Sequence, residues 1–481
     1  MSMKVKINIQ KNSAKMSLKS VKYHLNVVKS ENSKIFSDIA KAKLKRLNMK
    51  FNDLETKFLS IDGDNAGHHV FIKCSPKSPF KIQTHLRKSL KNILGENPDT
   101  INLFCEDDDP VWNRELLYTA LLNSQDLPSR KSKNEKKQLK VINFFGNLSA
   151  KDVAEIEALV TGNTLSRQLT MTPPNDLTPT HYRREIKKLA AKRKWKLKEY
   201  NMNQLKKMGA GAFFAVGQGS DPQDAAIVHL TYQPKTFKKT ITLVGKGICF
   251  DTGGHNLKPS KYMFSMHEDM NGSATALGIL EAASLNKLPV KIDCWLAIAQ
   301  NHIGPKAYKQ NDVVKALNGK TIEIIHTDAE GRMVLADTLT LATKNKSDAV
   351  IDFATLTGCM AVAMGDRYSG IFSNKPELAC LAVGSGQQSG ERVCNFPFDE
   401  DYEEDIESDI ADIKQCTLEG GPDHIHAARF LSQFLADSKQ PWLHIDLSSS
   451  NTKGGLGAAM SDVNGFGVRF GFNLIQDILK R

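Results

Sequence analysis

The sequence predicts an α/β protein of two domains, and three observations predict it. With 481 residues the chain exceeds what a single hydrophobic core usually encloses. Apolar strand-like runs alternate with helix-like runs along most of its length. Between two such regions lies Met171-Thr172-Pro173-Pro174-Asn175, where two prolines forbid helical continuation and mark a domain boundary.

Taken in order, the first third carries expected strands at residues 20–28, 69–73, 100–105 and 140–145, with the clearest helix at 79–94. The polar run Ser-Arg-Lys-Ser-Lys-Asn-Glu-Lys-Lys, residues 129–137, reads as an exposed loop. Residues 150–170 read as a helix that stops at the prolines, and a further helix is expected at 178–192. From residue 240 strands and helices alternate as in a wound sheet. The strand 241–250 is followed by a helix at 273–285, a strand at 289–298 and a short strand at 321–326. A helix at 333–344 and a buried strand at 349–353 follow, the latter leading into Ala-Thr-Leu-Thr-Gly.

Composition narrows the function classes. At 41% hydrophobic and 25% charged residues, the chain has the make-up of a soluble globular protein. No run approaches the ~20 apolar residues a membrane helix needs. Residues 1–25 are lysine-rich without the apolar stretch of a secretory signal, so a cytoplasmic location is expected. The 8 cysteines are widely spaced and read as reduced; no close Cys or His pair offers a thiolate zinc site, so any metal must rely on carboxylates. The net charge of +12 sits wholly in the first third, where residues 1–150 hold 27 Lys and Arg against 15 Asp and Glu. Such a segment attracts nucleic acid or is simply a solvated face, and no nucleic-acid motif accompanies it.

The chemistry concentrates in three places. In Lys246-Gly-Ile-Cys-Phe-Asp251-Thr-Gly-Gly, an apolar strand ends in a carboxylate followed by glycines. Ligands gather at such strand ends, and a carboxylate there can serve a hard cation or merely cap a turn. Asp269 precedes a helix and could be its cap. In Thr327-Asp328-Ala-Glu330-Gly-Arg332 three charges alternate, which places them on one side of an extended segment. Asp251, Asp269, Asp328 and Glu330 together supply enough oxygens for two divalent ions, and Lys246 would join them only as a neutral amine.

These two segments resemble the signatures of the leucyl aminopeptidase (cytosol aminopeptidase) family, and the likeness runs from about residue 162 to 370, with the spacing of Lys246, Asp251, Lys258 and Asp269 also matching. The expected layout is a smaller N-terminal α/β domain, residues 1–165, whose basic surface follows from its charge excess, and, as the resemblance implies, a larger C-terminal α/β/α catalytic domain, residues 166–481, on a central mixed sheet. It implies a metalloaminopeptidase that releases N-terminal, preferably leucine-like, residues from peptides with a free amino end, using water activated by two metal ions. Zinc or manganese would be held by Asp251, Asp328 and Glu330 at one position and by Lys246, Asp251, Asp269 and Glu330 at the other. Lys258 would contact the scissile carbonyl oxygen, and Arg332 would hold a bicarbonate serving as general base. Thr355, Leu356 and Gly358 would position the substrate, and Met266 would line the first side-chain pocket, where the alternative is ordinary core.

The resemblance further implies a homohexamer. His326 and His255 depart from the family pattern and read as satisfied core histidines outside the site. Residues 454–467 also diverge, which leaves side-chain preference open. Two rivals remain at this point. One is a non-catalytic protein whose basic first domain binds DNA; the other is a dipeptidase for substrates such as cysteinylglycine. Retention of every expected ligand speaks against the first, and only a substrate panel separates the second.

Overall fold

The structure is a computed structural model. The structure describes residues 5–10, 21–63, 67–75, 77–106, 109–133 and 139–481. The chain forms two compact units. One comprises residues 1–160, 387–390 and 453–464, the other residues 161–386, 391–452 and 465–481. The chain passes from the first to the second inside the helix Ala150–Thr170, ahead of the di-proline segment.

The first unit holds a six-stranded sheet in the order Lys6–Gln10, Val141–Phe145, Thr100–Cys105, Tyr23–Val28, Gly67–Lys73, Leu59–Gly63. All neighbours run parallel except the last pair, whose antiparallel pairing a short connection permits. Helices Asp38–Arg46, Pro79–Leu94 and Pro110–Asn123 supply the crossovers. The expected strand at 20–28 is the strand Tyr23–Val28; Ser20 lies outside the described residues, as do residues 134–137 of the expected lysine-rich loop.

The second unit is built on an eight-stranded sheet ordered Val393–Asn395, Ser369–Ser373, Trp442–Asp446, Ala349–Ala354, Lys239–Asp251, Val290–Asn301, Ala226–Tyr232, Lys196–Asn201. Its four central strands are mutually parallel and antiparallel strands flank them, so the sheet is mixed. Strand periodicity sorts the central strand Lys239–Asp251 onto two helical layers. Gly245 and Gly247 lie against Ser273 in the helix Asn271–Leu285, whereas Lys246 between them lies against Gly331 in the helix Glu330–Ala342. Helices therefore cover both faces, as parallel strands require.

After Lys239–Asp251 the chain adds Val290–Asn301 on one side, then returns to add Ala349–Ala354 on the other. The reversal makes a topological switch point at the carboxyl ends of these strands, the place where open α/β sheets bind ligands.

Candidate metal centre

Asp251 ends the central strand and is buried. Its Oδ1 accepts from the Gly253 N–H and from Asn301 Nδ2, both at 2.9 Å, and its Oδ2 lies 2.9 Å from Lys258 Nζ. The turn that returns Lys258 to Asp251 needs glycine: Gly253 has φ +86°, and a side chain there would come 2.5 Å from the Asn256 carbonyl oxygen. Asp251 thus makes the local turn bond of a strand-end aspartate and still presents Oδ2 to the site.

Asp269 is not a helix cap. The helix Asn271–Leu285 makes no side-chain cap bond at its start, and Asp269 Oδ1 instead accepts from Lys246 Nζ and Thr355 Oγ, both at 2.7 Å. Lys246 Nζ also lies 3.1 Å from Glu330 Oε1 and donates to the Thr355 carbonyl at 2.8 Å.

The extended reading of the third segment is overturned. The helix begins at Glu330, leaving Asp328 in the preceding turn. Glu330 thereby occupies a helix amino end, where the macrodipole favours a carboxylate. Two residues on, helical rotation turns Arg332 the other way. Glu330 meets Lys246, while Arg332 meets Asp423. Glycine at 331 is what admits Lys246, because a Cβ there would sit 2.6 Å from its Cε.

The result is four carboxylates and two lysines in one buried cluster, with Lys258 Nζ also 2.6 Å from Asp328 Oδ1. Burial first, then Asp251 and Glu330, push Asp328 up to about 7. Burial and the Asp251 charge likewise raise Glu330, and burial raises Asp269 well above its usual range despite Lys246. Burial opposes charge on both lysines, yet the surrounding carboxylates outweigh it and raise both. Carboxylates held together at this energetic disadvantage suit added positive charge.

Divalent cations fit these residues. Asp251, Asp328 and Glu330 each offer an oxygen, all within 4.8 Å of one another. Asp269 Oδ2 is a buried acceptor with no hydrogen-bond partner among the described residues. An all-oxygen donor set with an amine suits a hard or borderline divalent ion.

The strand Ala349–Ala354 runs into the loop carrying Thr355, Leu356 and Gly358, so this loop abuts the cluster through Thr355. Asp446, at the end of the neighbouring strand Trp442–Asp446, fixes it: its Oδ1 accepts from the Leu356 N–H at 3.1 Å and the Thr357 N–H at 3.3 Å, and its Oδ2 from Thr357 Oγ at 2.6 Å. Gly358 is exposed and begins the helix Gly358–Met364. Met266 is half-buried in the turn Met266–Glu268, directly ahead of Asp269, and is not core. His326 is half-buried and satisfied, its Nδ1 accepting from the Asp328 N–H at 3.2 Å. His255, expected in the core, is exposed, because the Gly253–Gly254 turn carries it outward.

Arg332 lies against Asp423 in this structure. Its Nη2 donates to both Asp423 oxygens at 2.9 Å and its Nη1 to the Gln415 carbonyl at 3.0 Å, with the side chain only 3% exposed. Its Nε is a buried donor with no hydrogen-bond partner among the described residues, so the guanidinium keeps a donor beyond those that Asp423 and Gln415 engage. Sequence reasoning also passed over Asn301, whose Nδ2 donates to Asp251 Oδ1 and, at 3.0 Å, to the Thr327 carbonyl. Its signal was a polar pair, Gln300-Asn301, closing an otherwise apolar strand.

Comparison with known proteins agrees with this geometry. Residues 164–471 match the model of the cytosol aminopeptidase family, catalytic domain. A probable cytosol aminopeptidase of Prochlorococcus marinus (strain MIT 9312) is 39% identical over 408 residues, covering 82% of each chain. One from Legionella pneumophila (strain Corby) is 36% identical over 404 residues, 80% of this chain and 82% of that one. Among solved structures, the bottromycin maturation enzyme BotP in complex with Mn superposes with a TM-score of 0.83 at 26% identity, covering 95% of this chain and 99% of that one. A buried carboxylate cluster at the switch point of a mixed sheet, inside a segment that matches the family model throughout, establishes that the chain belongs to the cytosol aminopeptidase family and is a metal-dependent aminopeptidase.

Proposed function

We propose that residues 166–481 form the catalytic domain and remove leucine-like residues from the free amino ends of peptides. The observation that carries this reading is the convergence of Asp251, Asp269, Asp328 and Glu330 with Lys246 and Lys258 at the strand ends. Asp251, Asp328 and Glu330 would hold one divalent ion, and Lys246, Asp251, Asp269 and Glu330 the other, with zinc or manganese as the ion. Such ions supply Lewis acidity, making water more acidic and polarising the scissile carbonyl.

The chain's own groups do the rest. Lys258 donates to the carbonyl oxygen and stabilises the negative charge that develops there. Lys246, linked to both Asp269 and the Thr355 carbonyl, ties the metal ligands to the substrate loop. The backbone of Thr355, Leu356 and Gly358 aligns the peptide, and Met266, a flexible apolar side chain, lines the pocket for its first residue. Arg332 anchors the Asp423 carboxylate beside the ligand-bearing turn. Likeness to the family also supports a homohexamer and a cytoplasmic location; no helix among the described residues is long and apolar enough to cross a membrane.

The test is a panel of amides, dipeptides and longer peptides beginning with leucine, methionine or cysteine, with products identified by mass. Stepwise release from free amino ends, and none from N-acetylated peptides, is the expected result. Cleavage at internal bonds, or inertness of the metal-loaded protein towards every substrate, would refute the reading.

A further inference from the structure

The strand Trp442–Asp446 carries two buried ionisable side chains, His444 and Asp446, on one face, because alternate residues of a strand share a side. Register sets His444 opposite Asp352, and Asp352 opposite Val244, which shares its face with Lys246. These side chains therefore lie on the side of the sheet where Lys246 meets the helix Glu330–Ala342.

His444 Nδ1 lies 2.6 Å from Asp352 Oδ1, the Trp442 indole donates to Asp352 Oδ2 at 2.7 Å, and neither His444 nor Asp352 is exposed. With Nδ1 donating to Asp352, a neutral ring would offer Nε2 as an acceptor. Nε2 is buried with no hydrogen-bond partner among the described residues, so no donor favours that form. Two carboxylates favour the cation instead. Burial opposes charge on His444, yet Asp352 and then Asp446 outweigh it and raise its pKa above the ordinary histidine value. Arg332, from the helix Glu330–Ala342, opposes them with a smaller effect. The rings of Trp442 and Phe372 lie 6.1 and 5.9 Å from the His444 ring. His424, from the helix Asp423–Ser432, lies 6.2 Å from the Phe372 ring and is held below the ordinary histidine value by burial, while Asp423 beside it is engaged by Arg332. His444 is thus the histidine that supplies positive charge to Asp446.

Asp446 has need of that charge. Burial pushes it above the usual carboxylate range, and the largest influence in the other direction is His444. Its oxygens accept the three bonds that fix Leu356 and Thr357, and Thr355 just ahead of them bonds Lys246 through its carbonyl and Asp269 through its hydroxyl. We propose that His444 is a positioning residue for hydrolysis: as an imidazolium paired with Asp352, it supplies the counter-charge of Asp446 and so holds the loop 355–358 in the geometry that aligns the peptide. This rests on the aminopeptidase reading above. Without that cation Asp446 takes up a proton at higher pH than in wild type, and a protonated carboxyl accepts fewer of the loop's hydrogen bonds. The loss therefore grows as pH falls.

The experiment compares kcat and KM for leucine p-nitroanilide between about pH 6 and about pH 7.5 in metal-loaded wild type, His444→Gln, Asp352→Asn and His444→Gln/Asp446→Asn, each checked for folding by its melting curve. For His444→Gln the ratio of variant to wild-type KM should rise at least about 5-fold from the alkaline to the acid end, with the kcat ratio changing less than about 2-fold. Asp352→Asn, which deprives the ring of its paired carboxylate, should follow the same trend. The double variant, with no carboxylate at 446 to protonate, should give a flat ratio. Independently of activity and of any variant, nitrogen-15 NMR of histidine-labelled wild type should show both nitrogens of the His444 ring protonated at about pH 7.5, where an ordinary histidine of pKa about 6.5 is mostly neutral. A neutral His444 in wild type, or a His444→Gln whose KM runs parallel to that of wild type across this range, overturns the proposal and leaves the aminopeptidase reading standing. A wild type inert towards substrate overturns both.

Discussion

Gly331 lies directly against Lys246: a methyl group on Gly331 would approach Lys246 Cε to 2.6 Å and Nζ to 2.7 Å. Lys246 is buried and tied to Asp269, Glu330 and the Thr355 carbonyl, so it has no free rotamer into which to retreat. Gly331→Ala should displace the amine and loosen one metal position. Overpacking of this kind destabilises by about 1–3 kcal/mol. We expect metal content to fall by about half and kcat/KM to drop at least 10-fold. Elemental analysis and kinetics on the folded variant check this; a variant with full metal content and activity would show that Lys246 tolerates displacement.

Asn301 orients Asp251 from behind by donating to its Oδ1, and also holds the Thr327 carbonyl. Residues that orient ligands in this way typically change metal affinity 10–100-fold when lost. Asn301→Ala should therefore weaken metal binding by about that factor and cost about 0.5–1.5 kcal/mol of stability for a lost hydrogen bond, since the Thr327 carbonyl keeps its bond from the Tyr308 hydroxyl at 2.8 Å. Competition with a fluorescent chelator measures the first effect and urea unfolding the second. An unchanged dissociation constant would remove Asn301 from the site.

Asp446 organises the loop proposed to align substrate, through three hydrogen bonds to Leu356 and Thr357. If the loop aligns substrate as proposed, Asp446→Ala should raise KM several-fold more than it lowers kcat. Asp446→Asn, which keeps an acceptor for the two N–H groups, should recover part of the loss. Equal effects on kcat and KM, with no recovery in the asparagine variant, would assign Asp446 a purely structural role.

Much of the catalytic unit was legible because its strands are long and apolar and end in unusual residues. Strand 241–250 appears as Lys239–Asp251, and helix 150–170 appears unchanged. The start of the helix Glu330–Ala342 was misplaced because the alternating charges of 328–332 mimic a strand until the chain turns at Ala329. What stayed hidden depends on distant pairing. Asn301 reaches Asp251 across 50 residues, and Asp423 reaches Arg332 across 91, so neither partner is marked by local spacing.

In the first unit, burial sets an acid limit. His24 is 1% exposed; burial first, then the stacked His69 ring 4.2 Å away, hold its pKa down to about 4. Asn102 Nδ2 donates to its Nδ1 at 3.3 Å, and its Nε2 lies 2.8 Å from the Val21 carbonyl, an arrangement that suits the neutral ring. Because the folded value lies below the ordinary histidine value of about 6.5, the unfolded chain binds more protons between them. Stability from this group is complete above about pH 6.5 and is lost as pH falls towards 4, by on the order of 3 kcal/mol. His24→Phe should flatten that dependence in urea midpoints measured from pH 7 to 5; an unchanged slope would place the acid sensitivity elsewhere.

The proposed metal ligands are Asp251, Asp328 and Glu330, whose oxygens lie within 4.8 Å of one another, with Asp269 and Lys246 beside them. The most direct measurement strips the protein with a chelator, adds back zinc or manganese in steps, and follows leucine p-nitroanilide hydrolysis alongside Asp328→Ala. Activity should vanish on chelation, return fully as two equivalents bind per chain, and stay absent in Asp328→Ala. Undiminished activity in metal-free protein, or full activity in metal-loaded Asp328→Ala, would contradict the assignment.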